Sequence, residues 1–287
     1  MPGLRIHTML FPGGKRKALT LSYDDGVLQD RRLVEMMDRY GVRGTFNLNS
    51  GLLNRRERMV IDGIDVDVST VGPEEVRTLY RNHEVATHGV KHTALTGCGA
   101  AALREILEDR AALEALVPYP VRGHAYPFGC FDDEVLSMLS AAGICYARTT
   151  TSTHGFDLPK NFLTWDATCH HAEPELMTLA ERFCGEEPLF GQPRLFYLWG
   201  HAYEFDMHEN WDVMERFLAY VSQYRNGIWM ATNGEIFHYV SAWRRLAFTA
   251  DGRRVYNPTD TELWLEWLGT VFTIPAGTIA EIEQENT

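Results

Sequence analysis

Short apolar runs alternate with longer segments of helical spacing along most of this chain. The run Ala18-Leu19-Thr20-Leu21-Ser22-Tyr23 ends in Asp24-Asp25-Gly26. It predicts a buried strand that delivers two carboxylates to its C-terminal end, with Gly26 turning the chain away. Residues 28–40 place Leu33, Met36, Met37 and Tyr40 on one helical stripe, closed by Gly41. Residues 44–49 read as a second short strand ending in Asn and Ser. Strand, helix, strand with short connections is a βαβ unit, which predicts a parallel sheet.

The polar, Asp-rich stretch 54–71 predicts an irregular excursion. A helix follows Gly72-Pro73, with Pro in the first turn and Glu74-Glu75 where the helix dipole favours acids. Residues 83–87 then form a strand running into a turn that carries His88 and His92. Residues 99–116 give the clearest amphipathic helix, and residues 132–142 a further one. The alternation resumes at 123–129, and strands are expected at 144–148, 194–199 and 227–232, the second of these terminating in Gly200-His201. Helices are expected near 173–184, 210–224 and 234–246, while 150–171 reads as loop. About seven β-then-α units in succession predict a barrel-like α/β fold rather than an open sheet. From residue 247 turn signals such as Ala250-Asp251-Gly252 separate β-prone runs. The expected organisation is a barrel domain over 1–246 and a small β-rich C-terminal appendage over 247–287.

Composition changes this picture little. A length of 287 residues suits one large domain with an appendage. The formal charge of −12 argues against nucleic acid or polyanionic polymers as partners and is indifferent to neutral sugars. No run approaches a signal peptide or a membrane span, so the expected compartment is the cytoplasm. The five cysteines are scattered, without a CxxC pair, which suits a reducing compartment and argues against a disulfide framework or a cysteine-rich zinc site.

The candidate chemistry gathers at strand ends: Asp24, Asp25, His88, His92 and His201. Adjacent carboxylates repel each other unless a cation or a proton is near. His88 and His92 are spaced i, i+4, which puts both rings on one face if the turn is helical. Two imidazoles and one carboxylate make a ligand set for zinc or a similar divalent ion, leaving positions open for water and substrate.

With these motifs in order, the chain resembles the polysaccharide deacetylases of carbohydrate esterase family 4. The motif T-F-D-D-G is similar to Ser22-Tyr23-Asp24-Asp25-Gly26, and H-S/T-x-x-H to His88-Gly89-Val90-Lys91-His92, with Gly89 in place of the hydroxyl residue. R-x-P-Y-G is echoed by Tyr126-Pro127-Phe128-Gly129, and the late strand-histidine motif by Leu195 to His201. The resemblance covers about residues 15–240. It implies a distorted seven-stranded (β/α) barrel and a metal-dependent hydrolase that removes an N- or O-linked acetyl group from a saccharide, with metal-bound water as nucleophile. One divalent ion is implied, zinc first, with cobalt, nickel or manganese as alternatives. Its ligands would be Asp25, His88 and His92. Asp24 would be the general base, His201 the general acid, and the Phe128 N–H the oxyanion donor.

Two departures bear on the transfer. The motif arginine is displaced: Arg122 lies five residues before Pro127, so the role of orienting the base falls to Arg122, to Arg148 after the next strand, or to neither. Trp165-Asp166 stands as a reversed counterpart of the family's Asp-Trp motif, which makes Asp166 a supporting candidate. Tyr126, Trp165, Trp199, Glu204 and His170 are candidates to line the substrate site. Cys169-His170-His171 is available to add a ligand, and Asp206 to contact substrate hydroxyls. Trp264 and Trp267 read as packing for the appendage. Two other functions remain open at this stage: a hydrolase of a non-sugar C–N bond of the cyclic-amide type on the same scaffold, and a non-catalytic carbohydrate-binding protein.

Overall fold

The computed structural model describes residues 7–187 and 192–282. The first six residues, read above for a leader, and the last five of the expected appendage lie outside them. After a short strand β1 (Thr8–Leu10), the first long strand is β2 (Lys17–Asp24), buried along its whole length. Helix α1 (Asp30–Tyr40) buries Leu33, Val34, Met36 and Met37, and ends on Gly41 at φ 65°, a left-handed cap that glycine adopts without strain. It returns the chain to β3 (Gly44–Leu48), parallel to β2 with Asn47 opposite Asp24.

The excursion at 54–71 is more regular than its polarity suggests. It is an antiparallel hairpin, β4 (Arg58–Ile61) and β5 (Ile64–Asp67), turning at Asp62-Gly63 with both residues at positive φ. An Asp-Gly pair between β-prone runs is the usual hairpin signal, obscured here by the acidic strand β5. Helix α2 (Pro73–Leu79), strand β6 (Glu84–Thr87) and helix α3 (Ala100–Glu114) follow. The buried stripe of α3 is narrow and contains a carboxylate: Ala102, Ile106, Asp109 and Leu113. The more sharply sided helix is therefore α1. Next come β7 (Gly123–Ala125), helix α4 (Asp133–Ala141), capped by the Asp132 side chain accepting from the Val135 N–H at 2.9 Å, and β8 (Tyr146–Ser152).

Residues 150–171, expected as loop, instead close the barrel. Within them lie β9 (Trp165–Ala167), parallel to β8, and β10 (Cys169–His170), parallel to β11 (Arg194–His201). Thr168 joins the two, its N–H donating to the Tyr197 carbonyl at 2.8 Å and its hydroxyl accepting the Tyr197 N–H at 3.0 Å. One broken strand thus bridges β8 and β11. The sheet runs β10-β11-β2-β3-β6-β7-β8-β9, a nearly closed parallel barrel that is seven-stranded when β9 and β10 are taken as one. The segment's alternation was present in the sequence, with Trp165, Ala167 and Cys169 buried between polar neighbours.

Helices α5 (Leu176–Gly185), α6 (Tyr203–Met207), α7 (Trp211–Ser222) and α8 (Asn233–Trp243) complete the repeat, with β12 (Ile228–Met230) beside the first residues of β2. One hydrophobic cluster joins β2, β3 and β11 to α1, α5 and α7 through Leu21, Phe46, Phe196, Met37 and Phe217. Beyond α8 lie β13 (Ala247–Phe248), β14 (Arg254–Tyr256), β15 (Leu263–Trp267), β16 (Thr270–Ile274) and β17 (Ile279–Glu281). Strand β15 pairs with β16 and with β1, and Leu263 and Leu265 join a second cluster with Phe11, Ala18 and Tyr239. The Tyr239 hydroxyl fixes this contact, donating to the Leu10 carbonyl at 2.6 Å and accepting the Trp264 N–H at 3.0 Å.

Candidate active site

Strand β2 ends on Asp24, and Asp25 and Gly26 follow at φ 76° and 64°. Two successive left-handed residues turn the chain sharply, and both neighbouring carboxylates come to 3.7 Å from His88 Nε2, Asp24 through Oδ2 and Asp25 through Oδ1. A Cβ on Gly26 would meet Leu48 Cδ2 at 2.8 Å, which is a second reason for glycine there. Asp24 is buried and Asp25 half-buried.

Asp25 Oδ1 lies 3.7 Å from His88 Nε2 and 3.8 Å from His92 Nε2, and the three ligand atoms all fall within 4.8 Å of one another. The turn between the histidines is not helical. Gly89 at φ 79° and His92 at φ 53° fold it back instead, and a residue with a Cβ would be strained at position 89. His88 Nδ1 lies 2.8 Å from the Ala125 carbonyl, which can only accept, so Nδ1 carries the proton and Nε2 presents its lone pair. That Nε2 is buried without a hydrogen-bond partner. A lone pair orphaned beside a carboxylate and a second imidazole fits a divalent cation, and a carbonyl behind the ring is the usual support of a metal-bound histidine. Asp109, missed in the sequence, holds the same segment: its carboxylate accepts the His88 N–H at 3.0 Å and the Ser50 N–H at 2.8 Å. A lone acid on the apolar stripe of α3 was the available signal.

Asp24 is clamped from two sides. Arg148 donates through Nη2 to Oδ2, and Asn47 donates to Oδ1 at 2.8 Å. Burial alone would raise this carboxyl, but Arg148, His88 and His201 outweigh it and bring it to about 2. The Arg148 guanidinium lies over the Trp199 ring at 4.2 Å. Arg122 is elsewhere: it is exposed where the chain enters β7, with its Nε 3.4 Å from the Gly143 carbonyl. Of the two arginines, the structure brings only Arg148 to Asp24. Asn47 lies inside the run 44–49 that reads as the second strand, so nothing in the sequence singles it out as a partner of Asp24.

His201, in register with Asp24 across β11 and β2, puts its Nε2 3.9 Å from Asp24 Oδ2. Its Nδ1 lies 2.9 Å from Glu204 Oε1. Glu204 Oε2 lies 2.9 Å from His171 Nε2 and 3.2 Å from His170 Nε2. These ligand atoms also lie close enough to share a cation, but the protonation pattern is opposite to that of His88. His170 Nδ1 accepts the Ala172 N–H at 3.1 Å, so a neutral His170 carries its proton on the nitrogen facing Glu204. Glu204 Oε1 is hydrogen-bonded to His201, while Oε2 faces His170 and His171 without a hydrogen-bond partner. Burial would raise it, and the three histidines hold it far below the ordinary range. His171, neutralised by burial, falls to about 4. For His201 burial works against the charge, but Glu204 and the aspartates prevail and raise it to about 9.

The remaining candidates are dispersed. Phe128, at φ 58° and followed by Gly129 at 70°, turns its ring onto His92 at 4.5 Å and is mostly exposed at the mouth of the site. Tyr126 and Trp165 were expected to line the substrate site, but both are fully buried. Tyr126 donates to the Leu163 carbonyl at 2.7 Å, and Trp165 packs on Tyr197. Asp166 accepts from the Thr149 hydroxyl, away from Asp24, because alternate residues of β9 face opposite sides. Trp199 is a platform for Arg148 rather than a free stacking face. Asp206 accepts from the Trp211 indole at 2.7 Å and serves packing. A groove of about 400 Å³ opens from Asp25 and His92 past Phe128 and Tyr203 toward the β4–β5 hairpin.

A barrel with an Asp-His-His group and an Asp-His pair at its strand ends is what the resemblance to the polysaccharide deacetylases implies. Residues 12–147 match the family model described as polysaccharide deacetylase, and over this part of its length the chain is similar to that family. It is 27% identical over 115 residues to a chitooligosaccharide deacetylase from Sinorhizobium fredii, covering 39% of this chain and 54% of the relative. The chain thus spans about half the length of the curated relative it matches. A protein from Mycobacterium smegmatis classed as a polysaccharide deacetylase has a similar structure, with a TM-score of 0.60 at 20% identity, covering 85% of this chain and 96% of the other. A mutant CE4 family pseudoenzyme with restored enzymatic activity aligns at a TM-score of 0.50 and 15% identity, over 80% of this chain and 70% of the other. At such identities the likeness shows the fold, and the function rests on the site. Among the described residues, no helix is long and apolar enough to cross a membrane.

Proposed function

We propose that this protein is a metal-dependent deacetylase that hydrolyses an N- or O-linked acetyl group of a saccharide. The observation that carries this reading is the buried, Arg148-clamped Asp24, which faces His201 at 3.9 Å beside the Asp25-His88-His92 group. Binding alone needs neither a base held ionised nor an acid held protonated.

Asp25, His88 and His92 would hold one divalent ion, zinc first by their nitrogen and oxygen donors. When bound, it supplies a Lewis acid that acidifies water and polarises the acetyl carbonyl. Asp24 takes the proton of the attacking water, and Arg148 and Asn47 fix the carboxylate in the orientation that receives it. The water oxygen bonds to the acetyl carbon. The Phe128 N–H, on its strained turn, donates to the oxygen of the tetrahedral state. His201, held protonated by Glu204, gives its Nε2 proton to the departing amine or alkoxide as the C–N or C–O bond breaks. The products are acetate and the deacetylated sugar. All five thiols are free, which fits a reducing, cytoplasmic setting, and we read residues 247–287 as an appendage to the catalytic domain.

The test is acetate release from a panel of acetylated saccharides, with cyclic amides as a comparison. The zinc-loaded protein is expected to turn over at least one saccharide, and Asp24→Asn, His92→Ala and His201→Ala to lose at least about 100-fold in kcat, the scale of a single acid–base group. Undiminished turnover by Asp24→Asn would sink the reading.

A further inference from the structure

The β4–β5 hairpin is an addition to the barrel repeat, and it is braced against the site. At its base the Glu57 N–H donates to Ser69 Oγ at 3.1 Å and the Arg55 N–H to Thr70 Oγ1 at 3.0 Å. Strand β5 also packs on α6, the helix that carries Tyr203 and Glu204. A lone two-stranded hairpin is marginal in water, so this bracing fixes it where it stands.

The hairpin completes one wall of the groove that opens from Asp25 and His92. That wall is apolar, built from Val27, Leu52, Met59, Ile61 and Val68, with Phe128 on the rim. Met59 is 48% exposed and Phe128 66% exposed. Apolar side chains left open to water beside a candidate catalytic centre are the signature of a ligand wall. The charged residues of the groove lie outside this apolar wall: Arg55 is paired with Glu57 at 2.6 Å, and Lys91 lines the groove beside His92. Sugar hydroxyls pressed against this wall would lose water and find few partners, whereas an apolar group would bury its surface there.

We propose that this groove receives an apolar aglycone, alkyl or aryl, attached to the acetylated sugar, so that the protein selects amphiphilic glycosides over unsubstituted oligosaccharides. The proposal rests on the deacetylase reading for the position of the sugar; occupation of the groove does not depend on turnover.

Calorimetric titration of the zinc-loaded protein with the methyl and hexyl β-glycosides of N-acetylglucosamine, and with tri-N-acetylchitotriose, tests it, alongside kcat/KM for each. The hexyl glycoside is expected to bind at least tenfold more tightly than the other two. Met59→Ser/Ile61→Ser should remove that gain while leaving the melting curve and the methyl glycoside unchanged. Equal binding of hexyl and methyl glycosides, tighter binding of the trisaccharide, or a gain that survives the double substitution overturns the proposal. The two readings fail separately. Tight hexyl glycoside binding without acetate release counts against the deacetylase, and equal kcat/KM for all three counts against the groove.

Discussion

Arg148 on β8 reaches across the barrel to Asp24 on β2, and both side chains are almost completely buried when they meet. A charge pair sealed from water is strongly destabilised by loss of one member, because the other is left buried and uncompensated. Arg148→Ala should therefore cost about 3–5 kcal/mol in denaturant unfolding, as well as activity. Arg122→Ala, at an exposed site, should stay within about 0.5 kcal/mol and retain turnover. Equal effects of the two substitutions would contradict the assignment of Arg148 to the base.

The pH profile follows from His201. Its folded pKa, about 9, lies above its ordinary 6.5. The stability this contributes is present in full below pH 6.5 and is lost as the pH rises through about 9. If His201 is the acid, kcat/KM should also fall on the alkaline side near pH 9. Glu204→Gln removes the carboxylate that favours the imidazolium, so the alkaline limb should move toward neutrality. A limb that stays in place would remove Glu204 from this role.

Gly200, the residue before His201, is required by packing. A Cβ there would sit 2.0 Å from His171 Nδ1. Gly200→Ala should push His171 away from Glu204 and cost about 1–3 kcal/mol, the usual range for overpacking. Thermal melts and the alkaline limb of the pH profile, measured together, check that both move.

Metal binding should stabilise the fold by mass action. Zinc at about 100 times its Kd adds about 2.7 kcal/mol, so the melting temperature should rise with zinc in the wild type and stay flat in Asp25→Ala. Asp109→Ala, which removes one of the two acceptors of the His88 N–H and leaves the Leu48 carbonyl at 3.0 Å, touches no ligand atom and should weaken zinc affinity about 10-fold, the low end for loss of a supporting partner. Competition with a chromophoric chelator measures both.

The barrel, the acids and the histidines were legible in the sequence because each sits where a period breaks: an apolar run ends and a charged or imidazole residue stands at its terminus. What supports them was harder to read. Arg148 lies inside a strand and looked no more suitable than Arg122, because the pairing depends on which way alternate residues of β8 face and on how far the barrel closes. Tyr126 and Trp165 looked like sugar contacts because aromatic type says nothing about burial. Closure through Trp165 to His170 was hidden by shortness, since a three-residue and a two-residue strand carry too few alternations to stand out from loop.

That closure also has a consequence in time. Asp25, His88 and His92 lie in the first third of the polypeptide, while Arg148, His201 and Glu204 lie far behind them, and β2 pairs with a strand made much later in synthesis. The His88 ring leans on the Ala125 carbonyl of β7, and His201 stands opposite Asp24 only once β2 and β11 are paired. Neither half of the site is therefore complete within one β-then-α unit.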